Sequence, residues 1–171
     1  MARFASLSVI LVAVVLMWGC GGPQQPGQSV SADLATCLQQ YHPVSPDPMP
    51  SSGEGARFLR DVTYAVPCEG LAPAGNQAWS ILIVAPDDKT VHVYFVGGLI
   101  ADRCDLLRRV NVTEDASRVT IALAAGADPK IRPGSVCSAV GQSYMTEVTL
   151  SDKLGSRTLS GPNNHGEIHH L

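Results

Sequence analysis

Val91-His92-Val93-Tyr94-Phe95-Val96, and beyond Gly97-Gly98 and Cys104 the runs Val110-Asn111-Val112-Thr113 and Val119-Thr120-Ile121-Ala122-Leu123, decide the fold. The first run is β-branched or aromatic at nearly every position, a composition that packs well on a pleated surface. Glu114-Asp115-Ala116-Ser117 supplies turn chemistry between the second and third runs. Period-two alternation places Val119, Ile121 and Leu123 on one face and Thr120, Ala122 and Ala124 on the other. These residues predict a hairpin beside a further strand, together forming the centre of a β-sheet.

Working outward toward the N-terminus, residues 79–85 are apolar on both faces, as in a strand covered on both sides. Pro86-Asp87-Asp88 turns that strand back into the Val91 run. Residues 71–77, with Pro73 and Gly75-Asn76, read as a loop. Residues 58–66 alternate, with Val62, Tyr64 and Val66 on one side, and stop at Pro67 and Cys68. Leu34, Cys37, Leu38 and Tyr41 share one helical face, so residues 31–41 predict a short helix, capped by Ser31 and ended by Pro43.

Toward the C-terminus, Leu106-Leu107 predicts a single helical turn, and residues 126–134 a loop leading to Cys137. Residues 144–150 predict a strand with Thr146, Val148 and Leu150 on one face. Residues 151–156 then turn the chain back into Arg157-Thr158-Leu159. Residues 161–171 have no core-like pattern and are expected to fray. Strands far outnumber helices and connections are short. The expected fold is mainly β, an antiparallel two-layer sandwich with one short N-terminal helix. The alternative is an α+β fold, a single sheet covered by a helix.

At 171 residues the chain suits one domain with a real core. Its net charge is −3, with Lys and Arg scattered singly, which excludes a basic stripe for nucleic acid. Residues 4–18 are uncharged behind Arg3. The run is short of the roughly 20 residues a membrane span needs, but it has the length of a secretory signal core. It ends in Met17-Trp18-Gly19-Cys20, which resembles the lipobox of bacterial lipoproteins, where a small residue precedes a cysteine that becomes diacylated and N-terminal. Gly19 and Cys20 match the two most restrictive positions. Met17 stands where Leu is usual, and Trp18 where a small residue is commoner.

The expected organisation follows from that reading. Residues 1–19 form a signal peptide and residues 20–30 a lipid-anchored flexible tether rich in Gly, Pro and Gln. Residues 31–160 form a single β-rich domain, and residues 161–171 a flexible tail. Cys37, Cys68, Cys104 and Cys137 remain for disulfides, as an even count in an exported chain implies. Three pairings are possible. Cys37–Cys68 with Cys104–Cys137 is preferred, each closing a loop of roughly 30 residues and contributing about 3–4 kcal/mol in the loop-entropy account.

Candidate chemistry is sparse. His165-Gly166-Glu167-Ile168-His169-His170 gathers metal-ligand residue types, but Gly166 and the terminal position oppose a fixed site, and the order is not HExxH. His92 could serve as a general base, although a strand histidine at the sheet surface or satisfied in the core is the expectation. No G-x-S-x-G occurs, and no phosphate-loop pattern follows Gly97-Gly98. Asp102, Arg103, Asp105, Arg108 and Arg109 form the densest charge group, expected to be a solvated connection. Trp79 and Tyr94 could line a groove, yet aromatics in central strands are expected in the core. Neither a cofactor nor a metal ligand set is expected.

Gly97-Gly98, Cys104 through Glu114, Val119-Thr-Ile-Ala-Leu, Cys137, Glu147-Val-Thr-Leu and Lys153-Leu-Gly-Ser-Arg157 resemble a pattern of small exported actinobacterial proteins and lipoproteins. That resemblance covers residues 94–160. It implies a disulfide-linked β-domain and carries no activity with it. The functional expectation is therefore a non-enzymatic lipoprotein on the outer face of the cell membrane, anchored through Cys20. It would bind an envelope protein or a small ligand. The competing expectation is an envelope hydrolase or metal-dependent enzyme using His92 or the C-terminal histidines.

Overall fold

The Val91 run becomes β5 (Thr90–Gly97), an eight-residue strand inside a six-stranded sheet. In the computed structural model, residues 34–46, 61–132, 135–162 and 166–171 are described. The elements in chain order are α1 (Leu34–Leu38), β1 (His42–Pro43), β2 (Thr63–Tyr64), β3 (Ala72–Gln77), β4 (Trp79–Val84) and β5. After them come β6 (Leu106–Glu114), β7 (Arg118–Ala127), β8 (Gln142–Thr149), β9 (Thr158–Ser160) and β10 (Glu167–His170). The larger sheet runs β1-β2-β8-β5-β4-β10. The smaller, of four strands, runs β3-β7-β6, with β9 also paired to β7.

The two sheets face each other, so the mainly β, two-sheet fold is as expected. Val91, Val93 and Phe95 of β5 meet Val119, Ile121 and Leu123 of β7 in one buried cluster. Trp79 ties the layers together, because its indole Nε1 donates across the core to the Ile121 carbonyl at 3.2 Å. The Pro86-Asp87-Asp88 hairpin forms, as does the β6–β7 hairpin around residues 114–118. Both turns are locked by an aspartate. Asp87 Oδ1 accepts from the Lys89 and Thr90 amides at 2.9 and 2.8 Å, and Oδ2 accepts from the Thr90 hydroxyl at 2.7 Å. Asp115 Oδ1 accepts from the Ser117 and Arg118 amides at 2.7 and 2.8 Å.

Several expectations need correction. The Val91 run does not share a sheet with the Val110 and Val119 runs. Gly97-Gly98 is where the chain leaves the larger sheet for the smaller one. The Gly98 amide donates to Asp105 at 3.1 Å, and a Cβ there would strike the Cys104 carbonyl. Leu106-Leu107 begins β6 instead of forming a helical turn. A bulge at Arg108 shifts the register after them, and Leu106 and Leu107 are both buried. Residues 72–77 form β3, not a loop. Pro73 is tolerated because β3 lies at the edge of its sheet and bulges opposite Gly126 and Ala125.

Nor is the pairing wholly antiparallel. β2 joins β8, β9 joins β7, and β10 joins β4, all in parallel. β9 does not return onto β8, because buried Leu154 and the Arg157 side chain carry the connection across to the other sheet. Arg157 Nη1 donates to Glu114 Oε2 at 2.7 Å, while its Nη2 donates to the carbonyls of Asp152 and Lys153. The tail expected to fray instead adds β10 to the edge of β4 over four residues. Gly166 permits this approach, since a Cβ there would sit 2.5 Å from Trp79 Cε3 and 2.6 Å from the Ser80 carbonyl. The helix spans only Leu34–Leu38. Its expected start at residues 31–33, the strand start at residues 58–60 and the whole of residues 1–30 lie outside the described residues.

Both preferred disulfides are present. Cys37–Cys68 pins α1 to the segment crossing between the sheets, where the Cys68 amide donates to Leu107 at 3.0 Å. Cys104–Cys137 ties the start of β6 to the loop before β8. Beside it, Asp128 holds that loop's base. Its Oδ2 accepts from Arg103 at 2.8 Å, and its Oδ1 from the Lys130 amide at 2.9 Å.

Candidate functional site

Alternation along β5 sends Val91, Val93 and Phe95 toward the other sheet, so His92, Tyr94 and Val96 lie on the opposite, outer face. Register extends that face across neighbouring strands, because directly paired residues share a side. His92 pairs with Glu147 on β8 and with Ile83 on β4, and Ile83 pairs with His169 on β10. Glu147, His92, Ile83 and His169 therefore cross the sheet in a single row. The adjacent row runs His42, Tyr64, Met145, Tyr94, Ile81 and Glu167. Ile81, Ile83, Tyr94, Met145 and Val62 form a second, smaller buried cluster there, separate from the inter-sheet core.

Two histidine–carboxylate pairs result. His92 Nε2 lies 3.7 Å from Glu147 Oε2, with side chains 19% and 47% exposed. His169 Nε2 lies 3.0 Å from Glu167 Oε2. In both pairs the imidazole is recessed and the carboxylate reaches into solvent. Burial raises the Tyr64 hydroxyl above its ordinary range, and the Glu147 charge adds to the effect, so phenol, carboxylate and imidazole share one electrostatic neighbourhood. The face thus offers exposed carboxylate acceptors beside imidazoles. It suits a partner bearing hydrogen-bond donors or positive charge.

The other candidates disperse. Arg103 pairs with Asp128, Arg109 Nε lies 3.5 Å from Glu69, and Arg108 Nε donates to the Leu71 carbonyl, so the charge group at 102–109 forms no common patch. Trp79 and Tyr94 are both buried in the core, as expected, Tyr94 in the smaller cluster on the outer face. His165 and Cys20 lie outside the described residues. Among the described residues no group of three or more His, Cys, Asp or Glu could hold a metal ion.

Sequence reading missed Glu147 as the neighbour of His92, and Tyr64 as a neighbour of Glu147. Alternation in residues 144–150 puts Glu147 opposite Val148, but only the β5–β8 register brings it to His92. A buried polar relay inside the sandwich was also not foreseen. The Tyr144 hydroxyl donates to the Gly98 carbonyl at 2.7 Å, and Gln142 Nε2 donates to Thr63 Oγ1 at 2.7 Å. Burial pushes the Tyr144 hydroxyl up to about 12. The Tyr41 ring stands edge-on to Tyr144 at 5.9 Å, and burial raises its hydroxyl further. This relay braces the fold at the inter-sheet crossing. Compared with known proteins, the chain matches no protein-family model, no curated protein and no solved structure.

Proposed function

We propose that this chain is a non-enzymatic lipoprotein, anchored by Cys20 to the outer face of the cell membrane, whose β-domain binds an envelope protein or a small ligand. The observation that carries this reading is the distribution of the cysteines. Of five, four are consumed in two disulfides, which fit an oxidising compartment, and the fifth is Cys20 behind Gly19. No helix among the described residues is long and apolar enough to cross a membrane. A diacylated cysteine would supply the two acyl chains that stable anchoring requires. The following Gly-, Pro- and Gln-rich residues 21–29 would give the domain a reach of about 17 Å. The proposed binding face is the outer face of the six-stranded sheet, where Glu147 and Glu167 present carboxylates beside His92 and His169.

Globomycin, which blocks lipoprotein signal cleavage, tests the reading in a bacterial host. The account expects an uncleaved precursor to accumulate, and unchanged maturation would contradict it. A second reading, an envelope hydrolase, draws on the His92–Glu147 pair with Tyr64 nearby. Turnover of a model ester, lost in His92→Ala and Glu147→Gln while the fold is kept, would favour that enzyme instead.

A further inference from the structure

Among the described residues four large apolar side chains are exposed, Ile168 and Leu171 at the C-terminal edge and two on a single loop. The loop between β7 and β8 carries Val136, 95% exposed, and Val140, 61% exposed, on either side of Cys137. Exposed valines on a frayed segment would mean little, but this loop is held at its base. Cys137 is bonded to buried Cys104, Asp128 is clamped by Arg103, and the Asp128 amide donates to the Arg103 carbonyl at 2.9 Å. The Ser135 amide donates to the Arg132 carbonyl at 3.0 Å, which brings exposed Arg132 within one turn of Val136. Lys130 is exposed on the same loop. Residues 129–141 contain those two cations and no acidic residue, in a chain whose net charge is −3.

We infer that this stapled loop rests on the anionic lipid surface of the membrane, Val136 and Val140 entering the headgroup layer while Lys130 and Arg132 meet lipid phosphates. Apolar side chains beside cations, with no acid among them, complement an anionic bilayer. The disulfide contributes by removing the ordering cost of presenting them. The second, acidic feature of the domain, the Glu147 and Glu167 carboxylates, lies on the outer sheet face and stays free for another partner. The inference builds on the anchored reading, but the two fail separately. Anchoring is read from the mass of the N-terminus, and loop contact from the depth of an indole.

The test uses the full chain carrying Val136→Trp, reconstituted in bilayers of phosphatidylglycerol and phosphatidylethanolamine whose acyl chains are brominated. Ser156→Trp, at an exposed position on the 151–157 connection, is the control. Emission from the V136W indole should be quenched at least twofold more than that of S156W. Lys130→Glu with Arg132→Glu should abolish the difference, as should phosphatidylcholine bilayers, since each cation near an anionic surface contributes about fivefold in partitioning. Equal quenching of V136W and S156W would overturn the inference, as would quenching indifferent to lipid charge. A blue shift without bromine quenching would overturn it too, by assigning the loop to a second copy of the chain.

Discussion

Gly166→Ala tests whether the C-terminal residues are a structural strand. The introduced methyl would lie 2.5 Å from Trp79 Cε3 and 2.6 Å from the Ser80 carbonyl. Ordinary contact begins at about 3.5 Å, so β10 must withdraw by about 1 Å. A ladder bond of about 2.9 Å would lengthen to about 3.9 Å, beyond hydrogen-bond range. Overpacking and the lost bonds together cost about 1–3 kcal/mol, a fall in Tm of about 3–10 °C. The assay is urea unfolding of the chain from Cys20 onward followed by emission of Trp79, its single tryptophan, with hydrogen exchange resolved to residues 166–171. The variant should lose exchange protection at His169 and Leu171, whose amides face β4, and shift the Trp79 spectrum. Unprotected amides there in the unmutated protein, or a variant indistinguishable from it, would refute the placement of β10.

Three further outcomes follow from the same geometry. Glu114→Gln should destabilise by about 1–3 kcal/mol in chemical denaturation, because it removes the charge opposite Arg157, whose side chain is only 11% exposed. Glu114→Met with Arg157→Met should recover much of that loss. Acid should destabilise the fold, as four carboxylates are held low: Asp87 at about 2 by Thr90 and Lys89, Asp115 by Ser117 and Arg118, and Asp128 by Arg103 and Lys130. The fourth is Glu114, where burial opposes the shift but Ser151 and Arg157 outweigh it. Depressed carboxylates stabilise above their unfolded pKa of about 4, so Tm should be flat from pH 7 to 5 and fall between about pH 4 and 2. Replacing Cys104 and Cys137 by Ala should cost about 3.7 kcal/mol for a sequence separation of 33, and non-reducing peptide mapping should show no crossed linkages.

The layers of the fold were legible where local chemistry and tertiary packing agree. Alternation in residues 119–123, the aspartates at both hairpin turns and the cysteine spacing each pointed to what formed. The failures share a cause. Pro73 in β3, Leu106-Leu107 in β6 and the Gly166 segment in β10 are strands by virtue of their neighbours, through an edge position, a bulge and a glycine-sized approach to Trp79. The sheet to which a strand belongs is likewise non-local. Gly97-Gly98 reads as a break, yet nothing in it says that the chain changes layers. For the same reason the histidines were legible one by one but not as a row. His92 and His169 are 77 positions apart in the chain, and only the shared partner Ile83 sets them on one face.

In the proposed arrangement Cys20 anchors a disulfide-braced domain at the membrane. Intact-mass spectrometry of the protein purified from the membrane fraction of a bacterial host tests it most directly. The account predicts a chain that begins at Cys20, carries a diacylglyceryl group, and is four hydrogens lighter than its reduced sequence. A chain beginning elsewhere, or an unmodified Cys20, would contradict it.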